Sequence, residues 1–189
     1  MDPIELDTLE AQVWARLTDA LGDREDPWRT PVVATTDSGD APSSRIVVLR
    51  DVDAAGWMLA FHTDVRSAKV TQLRRRSAMS WLFYDARDAL QVRARGVATL
   101  HTDDALADAS WASTGLASRA PYMSARPAGE PIGTPDPAIR VRDEKHSTQG
   151  RRNFCAVRCT AVELDVLQLH PSGHRRARVR PGSANWLAP

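Results

Sequence analysis

The sequence predicts a mainly β protein, a small β-barrel of six or seven strands with peripheral helices. Three observations carry that expectation. Strand-like runs crowd the stretch from Ser43 to Leu100. Regular strand–helix–strand alternation is missing, which argues against a doubly wound parallel sheet. At 189 residues the chain has room for one core, at roughly 150 residues per domain, so residues 1–189 are expected to form a single domain.

Taken in order, Leu6, Leu9, Val13, Trp14, Leu17 and Leu21 recur at helical spacing, with Asp7 and Glu10 near the start to suit the helix dipole. This predicts an amphipathic helix over 6–21, within an N-terminal segment 1–26. Pro27 and Pro31 close it, and 31–36 reads as a short strand before the Ser38-Gly39-Asp40 turn. Runs at 43–51, 56–63, 78–84 and 90–100 follow as strands. Between the second and third of these, Val65, Ala68 and Leu73 after Thr63-Asp64 predict a short helix over 65–76 that carries Arg66 and Lys69 in its first turn. A further helix runs from an N-cap at Thr102, with Asp103 and Asp104 in its first turn, to about Ser113. Five prolines between Pro121 and Pro137 mark a long surface loop, taken as 121–150. The C-terminal part, 152–189, reads as strands over 152–169 and 173–180.

Composition removes several classes. Apolar residues are 42% and charged residues 26%, the balance of a folded globular chain. No run approaches the ~18 apolar residues of a membrane span, and the acidic start Met1-Asp2-Pro3-Ile4-Glu5 is unlike a secretory signal. A cytoplasmic protein without membrane attachment is expected. The net charge of +1 argues against a general nucleic-acid partner. The charge is nonetheless uneven, since residues 1–30 hold eight acids against three arginines, whereas from Arg140 onward ten Lys or Arg face four acids. Cys155 and Cys159 are four apart in a strand-like run, about 13 Å, too far for a disulfide, and read as small core residues.

The most informative segment is Phe61-His62-Thr63-Asp64-Val65-Arg66-Ser67-Ala68-Lys69. A helix start carries partial positive charge and favours acids, so cations there call for a compensating anion. With the hydroxyls of Thr63 and Ser67, Arg66 and Lys69 suggest a phosphate cradle. The alternative is a solvated basic face continuing into Arg74-Arg75-Arg76. Arg45 and Arg50 bracket Ile46-Val47-Val48-Leu49, and on a regular strand their spacing puts them on opposite faces unless the strand ends bend. Gln91, Arg93, Arg95 and Thr99 share one strand face, where Gln91 could meet a heteroaromatic edge. No G-x-G-x-x-G, P-loop or G-x-S-x-G occurs. His170 and His174, across Pro171-Ser172-Gly173, lack neighbouring ligands, so no metal site is expected.

Arg45-Ile46-Val47-Val48-Leu49-Arg50, Phe61-His62-Thr63 with Ser67 and Lys69, Gln72-Leu73, Phe83, Gln91-Val92 and Gly96 together resemble the pyridoxamine 5'-phosphate oxidase family. So do His174-Arg175-Arg176-Ala177-Arg178 and Trp186-Leu187-Ala188-Pro189. The likeness is to its related FMN-binding branch, whose members read R-x-V-V-L-R, F-H-T-D-x-R-S-x-K and G-H-R-R-A-R. It implies a split barrel of Greek-key type and a homodimer holding FMN at the subunit interface. By that resemblance Arg45, Ile46, Val47, Val48, Leu49 and Arg50 line the flavin, and Arg45, Lys69, Thr63 and Ser67 face its phosphate, with His62 and Arg66 beside them. Gln91 contacts the ring and Arg178 reaches in from the C-terminal strand.

Departures bear on the substrate. Ser67-Ala68-Lys69 stands where the oxidase has Ser-Arg-Lys, Arg50 where it has a substrate-contacting lysine, and the segment 111–119 lacks its Tyr, Arg and Ser spacing. Leu167-Gln168 replaces a tryptophan. The expected function is FMN-dependent oxidation or reduction of a small molecule, with flavin N5 as the site of hydride or electron transfer. The alternatives are a non-catalytic FMN-binding protein that stores or senses the cofactor, and a binder of nucleic acid or other anions through the basic tail.

Overall fold

A computed structural model describes residues 3–189. Nine strands form one antiparallel sheet: β1 (Val32–Thr36), β2 (Pro42–Ile46), β3 (Leu49–Asp53), β4 (Met58–Asp64), β5 (Ala78–Asp85), β6 (Leu90–His101), β7 (Phe154–Gln168), β8 (Arg175–Arg180) and β9 (Ser183–Leu187). The order is β2-β1-β5-β6-β7-β4-β3, with β8 on β7 and β9 on β8. The strands at the two ends of that order, β2 and β3, are joined by Val47 and Val48 alone. Two residues span at most about 11 Å between flanking Cα atoms, so the sheet must curl until its ends meet, and the barrel follows from that connection.

The expected continuous strand over 43–51 is therefore corrected to two strands. Val47 turns inward, 8% exposed, and its amide bonds to the Pro31 carbonyl at 3.0 Å, one register step past the last β1–β2 pair Val32↔Ile46, before the chain leaves for β3. The six or seven expected strands become nine. The last, β9, pairs Trp186 with Ala177 and Asn185 with Arg178; its burial pattern lacks the clean alternation that marks a strand in sequence.

The longest strand, β7, serves three neighbours. One edge carries β6 along its length, while the other carries β4 over Phe154–Thr160 and then β8 over Leu164–Gln168. A bulge leaves Val162 without a β6 partner between Arg95↔Glu163 and Gly96↔Ala161. There Gly96 is a close-approach residue, because a Cβ would stand 2.7 Å from Cys159 Sγ and 2.9 Å from Ala161 Cα.

The helices lie outside the barrel: α1 (Leu9–Asp19), α2 (Ala68–Arg75), α3 (Ala105–Ser113), α4 (Leu116–Arg119) and α5 (Glu144–Ser147). The first buries Leu9, Val13, Trp14 and Leu17, each worth roughly 1.5–3 kcal/mol of removed apolar surface. Three expected helix starts shift. Helix α1 begins at Leu9 instead of Leu6. Helix α2 begins at Ala68 with Ser67 as N-cap, so Lys69 is in its first turn but Arg66 precedes it. Helix α3 is capped by Asp104, whose side chain accepts from the Ala107 amide at 2.9 Å, not by Thr102; a carboxylate reaching the N3 amide satisfies both the orphan donor and the dipole. Within the expected loop 121–150, irregular chain occupies 124–143, between a turn of 3₁₀ helix at Ala120–Met123 and helix α5. The main core joins α1 to Trp28, Phe61, Trp81 and Phe83, and a second cluster of Trp111, Tyr122, Phe154 and Ala156 packs the helical segment on β7. Both cysteines are buried and free. Among the described residues no helix is long and apolar enough to cross a membrane.

Candidate functional site

A cavity of about 550 Å³ opens where the two ends of the sheet meet, within the size range of small-molecule sites. Val48 and Arg50 come to it from the β2–β3 seam and β3. Strand β4 supplies His62, Thr63 and Asp64, and Ser67 and Lys69 come from the start of α2. Opposite them lie Ser118, Tyr122 and the irregular segment from Ser124 to Asp136.

Its floor is a set of cations with neutral partners. The Lys69 ammonium donates to Thr63 Oγ1 at 3.0 Å, and Thr63 Oγ1 lies 3.3 Å from Ser67 Oγ. Burial lowers the Lys69 pKa, and neighbouring Arg45 lowers it further. Arg45 donates to Thr35 Oγ1 and to Ser43 Oγ, each at 2.6 Å, and to Gln72 Oε1 at 3.3 Å. Its pKa is likewise lowered by burial. Arg50 is half-buried, also with a pKa lowered chiefly by burial. No carboxylate forms an ion pair with Arg45, Arg50 or Lys69 among the described residues. Partly desolvated cations without an ion pair are costly, and here Arg50 and Lys69 line one opening with Arg45 near Lys69. The start of α2, with its partial positive charge, lies at the same opening through Ser67 and Lys69.

Arg66 and Asp64 are occupied with each other and with the wall. Arg66 forms a forked pair with Asp64 through Nε at 3.0 Å and Nη2 at 2.7 Å, and donates to the carbonyls of Ser124 and Ala125 at 3.0 and 3.2 Å. It fastens the irregular segment to β4. His62 makes a T-shaped contact with Phe154, ring centroids 4.8 Å apart, and burial and the charge of Arg50 push its pKa down to about 4. Burial pushes the Tyr122 phenol up to about 12, so both rings are neutral near pH 7.

Of the residues singled out in the sequence, Val48, Arg50, His62, Thr63, Ser67 and Lys69 line the cavity. Arg45 stands behind Lys69. Ile46 is 68% exposed on β2, while Val47 and Leu49 are buried in the core. Gln91 lies on β6 between Tyr84 and Leu167. Arg178 Nε is 3.4 Å from Glu163 Oε2 on the β7–β8 face. Neither of these last two lines this cavity within one chain. Sequence reading did not anticipate Tyr122, Ser118 or the wall from Ser124 to Asp136. Their only signal was a proline-rich run that reads as a surface loop.

The donor set suits a phosphorylated ligand: two half-buried cations, two hydroxyls and a helix start lie together, the Asp64 carboxylate beside them is taken up by Arg66, and Glu130 and Asp136 stand on the facing wall. Comparison with known proteins points the same way. Residues 11–102 match the family model described as pyridoxamine 5'-phosphate oxidase, FMN-binding domain. A pyridoxine/pyridoxamine 5'-phosphate oxidase of Caulobacter vibrioides is 40% identical over 81 residues, 43% of this chain and 35% of that protein. One from Paracoccus denitrificans is 33% identical over 89 residues, 46% of this chain and 40% of that protein. The chain thus matches little more than a third of the length of these curated relatives.

In fold the likeness runs the full length. A pyridoxamine 5'-phosphate oxidase-related, FMN-binding protein from Nostoc punctiforme superposes with a TM-score of 0.73 at 23% identity, over 95% of this chain and 96% of that one. PhzG from Burkholderia lata, in complex with tetrahydrophenazine-1-carboxylic acid, gives 0.70 at 21% identity over 100% and 95%. Over residues 11–102 this chain is similar in sequence to the pyridoxamine 5'-phosphate oxidase FMN-binding domain, and over nearly its whole length it shares the fold of the Nostoc punctiforme protein.

Proposed function

We propose that the cavity holds FMN and that the protein is a flavin-dependent oxidoreductase acting on a small organic molecule. The observation that carries this reading is the group Arg45, Lys69, Thr63 and Ser67: two cations held by neutral oxygens alone, as a bound phosphate requires. Arg45 and Lys69 supply charge, Thr63 and Ser67 hydroxyls, and the first amides of α2 complete the cradle. When bound, FMN supplies hydride or electron transfer at its N5. Val48 and Arg50 flank the ring's side of the cavity in this reading, and the segment fastened by Arg66 excludes water. Arg66, tied to Asp64, serves the wall rather than the phosphate.

The reading extends to a homodimer in which Gln91 and Arg178 of a second copy reach the flavin, with all 189 residues in one domain and the protein in the cytoplasm. The test is the visible spectrum of freshly purified protein, followed by FMN titration. A yellow protein releasing FMN supports it; a colourless one that ignores added FMN overturns it. Steady-state turnover with pyridoxine 5'-phosphate or a reduced nicotinamide then separates an enzyme from a protein that only stores or senses the cofactor.

A further inference from the structure

His62 stands between two cavities, the one described above and a second of about 350 Å³ beneath α3, which Arg50 also lines. Its hydrogen-bond partner settles which ring nitrogen carries the proton. His62 Nδ1 lies 3.2 Å from Thr114 Oγ1. The same hydroxyl oxygen lies 2.8 Å from the Ser110 carbonyl. A carbonyl has no hydrogen, so the single Thr114 hydroxyl proton is committed to Ser110, one turn back along α3. Thr114 Oγ1 can then meet His62 Nδ1 only as an acceptor, and Nδ1 must donate.

The acceptor is itself held rigidly. Thr114 is 5% exposed, and its amide bonds to the Trp111 carbonyl at 3.0 Å. The buried Arg119 guanidinium draws together the carbonyls of Thr114 at 2.7 Å, Trp111 at 3.0 Å and Ala112 at 3.1 Å. The imidazole is also held by a T-shaped contact with Phe154. The charged neighbour, Arg50, disfavours a second proton on the ring. Nε2 has no hydrogen-bond partner among the described residues.

We infer that His62 is locked as its Nδ1–H tautomer and turns an unprotonated Nε2 toward the ligand, so that the bound molecule must offer a hydroxyl or N–H donor there. His62 is thus a positioning and specificity residue, one that rewards a donor and penalises an acceptor placed against it. The inference rests on the flavin reading only for the source of that donor, which is either FMN itself or a substrate bound after it.

The test is the imidazole nitrogen spectrum of the ¹⁵N-labelled protein at pH 7. Expected are one protonated nitrogen at Nδ1 and one bare nitrogen at Nε2, with the preference lost in Thr114→Val. A protonated Nε2, or an averaged pair of nitrogens in the parent protein, overturns the tautomer. FMN is then added, followed by pyridoxine 5'-phosphate. An Nε2 signal that moves with FMN assigns the donor to the flavin, and one that moves only at the second addition assigns it to the substrate. A signal that moves at neither step overturns the ligand contact. His62→Phe should weaken binding of the assigned ligand roughly tenfold, and His62→Gln, which keeps an acceptor, should restore most of it; equal loss in both also overturns the contact. A protein that binds FMN with Nε2 protonated refutes this inference alone, whereas one with the tautomer intact that binds no FMN refutes the cofactor reading.

Discussion

Two groups of arginines in this molecule have opposite charge balances. On the β6–β7–β8 face, Arg93 and Arg176 close on Asp165 at 2.6 and 2.9 Å, and Arg95 and Arg180 on Glu163 at 2.5 and 2.7 Å, with Arg178 alongside. Those cations hold the carboxylates of Glu163 and Asp165 below the usual range against the burial that raises them. Around the cavity, Arg45, Arg50 and Lys69 have only neutral oxygens or nothing. The first group pairs its charges internally and joins strands; the second has no ion pair among the described residues. Arginine content alone does not distinguish them, but the bookkeeping of counter-charges does.

That contrast can be broken by mutation. The largest effect is expected for Glu163→Ala, which leaves Arg95, Arg178 and Arg180 facing one another; a loss of about 3 kcal/mol in urea unfolding is expected, below the full cost of a buried pair because the arginines are half in water. A loss under about 0.5 kcal/mol would show the ladder to be ornamental.

Next comes pH. A histidine whose pKa is about 4 when folded and near 6.5 when unfolded stabilises the fold fully above pH 6.5, and that contribution drains away as pH falls toward 4. Stability of the parent relative to His62→Gln should therefore drop by up to about 3 kcal/mol across that window. Parallel curves would mean that the ring is not held neutral.

Lys69→Ala and Arg45→Ala should each weaken FMN binding by roughly 1.5–3 kcal/mol, the worth of a charge-assisted hydrogen bond, as read by flavin fluorescence. The unfolding midpoint of the flavin-free protein should stay level or rise, because a repelled cation is removed. A fall in that midpoint equal to the one caused by Glu163→Ala would erase the distinction between the two groups. The smallest effect belongs to Arg76→Ala, whose pair with Asp40 joins two exposed side chains; both stability and flavin binding should change by less than about 0.5 kcal/mol.

What the chain announces in sequence is what is local. Alternation on β6 is visible as Val92 and Ala94 inward against Arg93 and Arg95 outward, and the cations after Thr63 stand out because helix starts usually repel them. The break at Val47–Val48 is not visible, since it answers to closure of the sheet and not to any residue preference. Arg66 and Lys69 look equivalent in sequence. In the structure Asp64 captures one and leaves the other, a choice made by where α2 begins. Thr114 and the chain after Ser124 reach the site only through tertiary packing, and nothing near them in sequence points to it.

The Val47–Val48 link also implies something mechanical. It is the covalent hinge of the barrel's seam, with Arg45 just before it and Arg50 just after. A dianion gripped from the Arg45 side, with its remainder lying toward Arg50, acts as a rivet across that joint. Amide hydrogens flanking the hinge should then exchange more slowly once the ligand is in place, while those of the β7–β8 ladder keep their pace.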